Sequence, residues 1–108
     1  MMKIKTEIRS WNLNRQAHLN IEKIAERINP IVSGWMNYYT RFGKSEFWKV
    51  MSYLNERLSR WVKRKYKRFR TKLGKAYDWL VERAVHNRHM FSHWMSGYIP
   101  YPRLYKLR

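Results

Sequence analysis

Side chains suited to proton transfer or metal binding are scarce in this sequence, which has seven carboxylates, four histidines and no cysteine. Glu22/Glu26 and Asp78/Glu82 stand four residues apart, a spacing that brings two carboxylates onto one helix face, as acid–base chemistry would require. Both pairs sit among lysines and arginines, where the ordinary use of such groups is solvated ion pairing along a helix. His86, His89 and His93 follow at three- and four-residue steps and would share a face of an unbroken helix, a spacing compatible with metal ligation. No thiolate or fourth ligand accompanies them, and Asn87-Arg88 interrupts the helix. Local capping or ligand contact is the better use for these imidazoles, and no metal is expected. The glycines stand alone at 34, 43, 74 and 97, so no glycine-rich phosphate loop is present. No pattern positions a nucleophile beside a base. The sequence therefore predicts neither catalytic residues nor a cofactor.

The dominant chemistry is cationic. From Arg57 to Lys72, nine of sixteen residues are Lys or Arg, and no carboxylate occurs between Glu56 and Asp78. Leu54, Leu58, Trp61, Val62, the stem of Lys65 and Phe69 recur at three- and four-residue steps, one apolar stripe at about 100° per residue. Arg57, Arg60, Lys63, Arg64, Lys67, Arg68 and Arg70 take the neighbouring and opposite arc. Such a helix docks by one face and offers a dense positive face to a polyanion. Trp61 and Phe69 are assigned to the core, whereas Tyr66 is a candidate for stacking on a base or sugar. Phosphate contacts along such a stripe give affinity with little sequence information.

Composition points the same way. The net charge is +17 and the isoelectric point about 10.6, a self-repulsion most easily understood if a polyanion neutralises it. Nucleic acid, and RNA in particular, is the first candidate; an anionic membrane surface is second. With 44% hydrophobic and 17% aromatic residues, the chain is not a disordered basic tail. Its 108 residues suit one domain with one modest core. No run of apolar residues is long enough to span a bilayer, and the N-terminus lacks a signal-peptide core. A cytoplasmic location, no membrane and no small-molecule substrate are expected.

The elements that must present these cations read as helices. Residues 1–19 are a lead-in, in which Ile4, Thr6 and Ile8 alternate with charged residues in a weak strand-like pattern. A first helix starts after Asn20, a good N-cap, and buries Ile21, Ile24, Ala25 and Ile28. The apolar spacing continues past Pro30 through Ile31, Val32, Trp35, Tyr38, Tyr39 and Phe42, so two helices meet at Asn29-Pro30 or one is kinked there. Gly34 has little reason to sit in a helix unless something packs against its backbone. Gly43-Lys44-Ser45 is a break, with Ser45 as the next N-cap. The second long helix turns Phe47, Trp48, Met51, Leu54, Leu58 and Trp61 inward and ends near Phe69 or Arg70. A third runs from about Thr71 to Val85 on Leu73, Ala76, Tyr77, Leu80, Val81 and Ala84, and His86-Asn87 ends it. The fold expected is all-α: one domain over 1–108, a small bundle of three main helices with an irregular tail over 98–108.

The stretch Ile28-Asn29-Pro30-Ile31-Val32-Ser33-Gly34-Trp35-Met36-Asn37-Tyr38-Tyr39 resembles the Asn-Pro-x-x-x-Gly-Trp-x-x-Tyr-Tyr core of the group II intron maturase-specific domain, the thumb or X domain of intron-encoded reverse transcriptases. Ile8 to Leu13, Leu58 to Arg70 with its Trp-x-x-x-Lys-Tyr-Lys-Arg string, and Phe91 to Gly97 are similar to bacterial members, in the family's order. The resemblance implies a helical thumb that grips intron RNA to assist splicing and, joined to a reverse transcriptase catalytic domain, holds an RNA/DNA template–primer duplex. Arg41 and Lys44 would flank the turn, and Arg57 to Arg70 would supply the phosphate grip. The family's polymerase motif of paired aspartates is missing here and no zinc endonuclease module follows, so the chain alone is expected to be no enzyme. The alternatives are a general basic helical protein for DNA or membrane surfaces, or a relic of an intron-encoded reverse transcriptase.

Overall fold

The computed structural model describes residues 2–42 and 44–101, with side chains described for 3–39 and 46–101. Five α-helices occupy these residues, and no strand occurs among them: α1 (Met2–Ser10), α2 (Ile21–Phe42), α3 (Lys44–Lys65), α4 (Leu73–His86) and the single turn α5 (Ser92–Met95). Two 3-10 turns, Leu13–Arg15 and Lys67–Phe69, join α1 to α2 and α3 to α4. Helix α3 is the centre of the fold, touching α1, α2, α4 and both 3-10 turns. Its Val50, Met51, Leu54, Leu58, Trp61 and Val62 are all essentially inaccessible to solvent.

The strand-like reading of the N-terminus is corrected, because residues 2–10 are helical. Ile4 and Ile8 fit both periods, two residues and four, and are both buried. Thr6, which a strand would turn to the same side, is exposed. The helix stops where Asn12 adopts a left-handed conformation (φ 50°), tolerated best by Asn and Gly. Leu13, one residue on, is buried against α3. The lead-in is thus part of the core.

Helix α2 begins as its sequence requires, with the Lys23 N–H donating to Asn20 Oδ1 at 2.8 Å. It then runs as one helix through Pro30. Pro30 is exposed, so the Glu26 carbonyl that loses its N–H partner there faces the solvent side. Val32 is buried as expected, but Ile31 (39%) and Tyr38 (57%) are exposed, and Trp35 is half-buried in a parallel stack on Trp11 at 5.6 Å. Trp48, expected inward, is 54% exposed, one 100° step from the buried Phe47. Gly34 is also corrected: among the described residues no atom beyond its own helix backbone and chain neighbours lies within 4 Å of where its Cβ would stand, so none of them packs on it. Helix α3 starts at Lys44, two residues earlier than a Ser45 cap allows, and the side chain of Phe42 lies outside the described residues.

The segments before α2 and after α4 are tied to the helices by polar side chains buried or half-buried between them. Trp61 Nε1 donates to the Gln16 carbonyl at 2.8 Å, and Lys65 Nζ donates to the carbonyls of Ala17 (3.0 Å) and Leu19 (2.8 Å). Asn29 donates to the Met90 carbonyl and accepts from the Ser92 N–H, each at 2.9 Å. Asn55 donates to the Tyr98 carbonyl at 3.0 Å. Helix α5 ends at Gly97 (φ 100°), where the N–H groups of Gly97 and Tyr98 bond back to the carbonyls of Trp94 and His93 in a Schellman closure. Phe91, His93 and Trp94 are fully buried, and Tyr98 and Ile99 pack on the core. The segment beyond α4 is a structural wedge as far as Pro100, and only residues 102–108 of the expected tail lie outside the described residues.

Candidate functional site

The core stripe of α3 and its cations fall on opposite sides of the helix. Arg57, Arg60, Lys63 and Arg64 follow at steps of three, three and one, which keeps them within one arc away from Leu58, Trp61 and Val62. The expected continuation of α3 to Phe69 or Arg70 is corrected, since α3 ends at Lys65 and the chain enters a 3-10 turn over Lys67–Phe69. The turn carries Lys67 and Arg70 back toward the same side. Together with Asn14 from the first 3-10 turn, Arg57, Arg60, Lys63, Arg64, Lys67 and Arg70 line one open depression of about 770 Å³.

The change of geometry at Lys65 sorts the remaining candidates. Tyr66 packs at 5.3 Å against Trp79 and at 6.3 Å edge-on to Phe69, and does not line the depression. Part of its aromatic surface is used between α4 and the 3-10 turn, and the ring is half-buried. Arg68 lies over the rings of Phe69 (4.7 Å) and Tyr66 (5.2 Å), on that same wall. Lys65 spends its charge on the two carbonyls of the N-terminal segment. The side chains of Arg41 and Lys44 lie outside the described residues.

The electrostatics of the depression are one-sided. Among the described residues, Arg60 is the lining cation with a carboxylate partner, Glu56 at 3.3 Å, and both groups are about half exposed. Cations gathered without compensating carboxylates raise the local potential and concentrate polyanions. Asn14 was missed by the sequence reading, which had no reason to place residue 14 beside residue 60. Its only signal is the tight Asn-Leu-Asn-Arg turn that presents it.

The other candidates do not assemble a reactive centre. Glu26 pairs with Lys23 at 3.4 Å and Glu82 faces His86 at 3.9 Å, all well exposed. His86 ends α4 and His89 lies in the following turn, both exposed, whereas His93 is completely buried. No group of three or more His, Cys, Asp or Glu that could hold a metal occurs among the described residues. The expectation of ligand contact is corrected for His93. Trp94 Nε1, which can only donate, bonds to Asn55 Oδ1 at 3.0 Å, so that oxygen is an acceptor. The His93 Nε2 at 2.7 Å from it therefore carries the proton, leaving Nδ1 bare and without a partner among the described residues. Burial alone pushes this imidazole's pKa down to about 3. Among the described residues, no helix is long and apolar enough to cross a membrane.

Among the described residues, fold and site together define a helical domain with a cationic concave face. The family model of the group II intron maturase-specific domain matches residues 1–79, and the chain belongs to that family. The matched region contains Asn14, the Asn29–Tyr39 motif and every lining cation; the wedge at Phe91–Gly97 lies beyond it. Searches of curated proteins and of solved structures return no match. Membership implies a maturase-related, accessory role in group II intron splicing.

Proposed function

We propose that this chain is a non-catalytic domain that grips group II intron RNA and so helps the intron reach its splicing-competent fold. Joined to a reverse transcriptase catalytic domain, the same surface holds the template–primer duplex. The observation that carries this reading is the convergence of six Lys and Arg side chains from α3 and the following turn on one depression. A duplex backbone presents phosphates at regular short intervals, and a rigid row of cations meets several at once. Arg57, Arg60, Lys63, Arg64, Lys67 and Arg70 form the grip. Arg68 and, as the family resemblance implies, Arg41 and Lys44 beside the turn between α2 and α3 add phosphate contacts, and Tyr66 packs against Trp79 and Phe69. The reading takes α2, α3 and α4 as the three principal helices and includes a bend of α2 at Pro30.

The test is a titration of the protein against a folded group II intron RNA and against an arbitrary duplex of equal length, over a range of salt. A preference for the intron that survives at high salt supports shape-specific recognition. Equal affinities that collapse together overturn intron recognition and leave a general basic helical protein.

A further inference from the structure

We propose that Asn14 reads the ribose 2′-hydroxyl of the RNA held in the cationic depression and makes this site discriminate RNA from DNA. The inference rests on the reading of that depression as an RNA site.

Six of the seven side chains lining the depression are cations, which donate hydrogen bonds and accept none. A phosphodiester offers acceptors only, so these six suffice for it. Asn14 is different in kind: its carboxamide has two N–H donors and a carbonyl acceptor. An acceptor is useless toward phosphate oxygens. It is useful toward a hydroxyl, and the hydroxyl that lies beside each phosphate in RNA and is missing from DNA is the ribose 2′-OH.

The amide stands on a backbone that is held in place. Among the described residues its side chain has no hydrogen-bond partner, and it is half-buried at the wall of the depression. Its backbone is fixed on both sides. Leu13 is buried at 3% exposure, and the Arg15 and Gln16 N–H groups close the 3-10 turn at 2.8 and 2.9 Å. The Gln16 carbonyl in turn accepts from Trp61 in the core of α3. A polar group on a fixed backbone beside a row of phosphate binders is placed to select among sugars.

The test compares a short RNA duplex, the same sequence with 2′-O-methyl riboses, and the DNA duplex. The methylated duplex keeps the A-form shape and the phosphates but has no hydroxyl donor. The wild type should bind RNA about three- to tenfold more tightly than the methylated duplex, the scale of one net hydrogen bond. Asn14→Ala and Asn14→Leu should bring that ratio, and the RNA-to-DNA ratio at matched salt, toward one with the salt slope unchanged. Asn14→Leu keeps the side-chain bulk, so lost discrimination there is not relief of methyl crowding. Arg64→Gln should weaken all three ligands and retain the ratios. A wild-type ratio of one, or a ratio that persists in both Asn14 variants, overturns the assignment of Asn14 alone. Binding to RNA unaffected by Arg64→Gln overturns the depression as the RNA site, and the inference with it.

Discussion

Removing two lining cations tests whether the depression itself, rather than the whole positive surface, binds nucleic acid. Lys63 and Arg64 are the cleanest pair, because Arg60 already faces Glu56 at 3.3 Å and its replacement would disturb that pair as well. If each of the six lining cations neutralises one duplex phosphate, the slope of log affinity against log salt is about −5. Affinity then falls roughly a thousandfold between 50 and 200 mM salt, and only about a hundredfold for Lys63→Gln/Arg64→Gln, whose slope should be about −3.5. The control is Lys3→Gln/Arg9→Gln, which removes the same charge from exposed positions on α1 outside the depression. Fluorescence anisotropy with a labelled RNA duplex at five salt concentrations measures both slopes. Both side chains point away from the core stripe, so unchanged thermal melting is expected alongside. Equal slope changes in the two double variants would refute the reasoning, since net charge alone would then account for binding.

Two further predictions concern the scaffold. His93 is buried neutral with its pKa near 3 against 6.5 for an ordinary imidazole, so between those values the unfolded chain takes up a proton that the folded chain refuses. Its contribution to stability is complete above pH 6.5 and falls by roughly 1.4 kcal/mol per unit below it, about 3 kcal/mol by pH 4.5. NMR titration of the His93 ring in the folded protein checks this, and a midpoint above pH 5 would contradict the burial. Gly34→Ala should stabilise α2 by roughly 0.5–1 kcal/mol, because the position is helical, exposed and open around the added methyl. A lower melting temperature would mean that something does press on that backbone. A higher melting temperature with weaker RNA binding would place the ligand there.

The local pattern was sufficient for much of this fold. Asn20 caps α2 and the stripe Ile21, Ile24, Ala25 and Ile28 is buried, because a helix with one apolar face has a single way to hide it. The core positions of α3 and the span of α4 follow for the same reason. So does the separation of cations from the core along α3. Where two periods fit the same residues, as at Ile4 and Ile8, local sequence could not choose, and contact with α3 decided for a helix. Trp48 and Tyr38 show the converse, aromatic residues whose spacing looked internal but which stand 54% and 57% exposed.

By itself the sequence determined that a dense cationic face would sit opposite an apolar one, since both depend only on residue type and the 3.6-residue period. Its charge of +17, a matter of residue type alone, made a polyanion the first expected partner. Tertiary structure decided what that face becomes. Ending α3 at Lys65 folds Lys67 and Arg70 around a depression, turns Tyr66 and Arg68 to another wall, and leaves Lys65 to hold the N-terminal segment. The segment so held brings Asn14 beside cations more than forty positions away. Likewise His93, one of three imidazoles at helical spacing, became a core residue because Asn55 and Trp94 meet around it. Periodicity encodes which way a side chain leaves its own helix; which distant side chains it meets depends on where the chain turns back, and packing sets that.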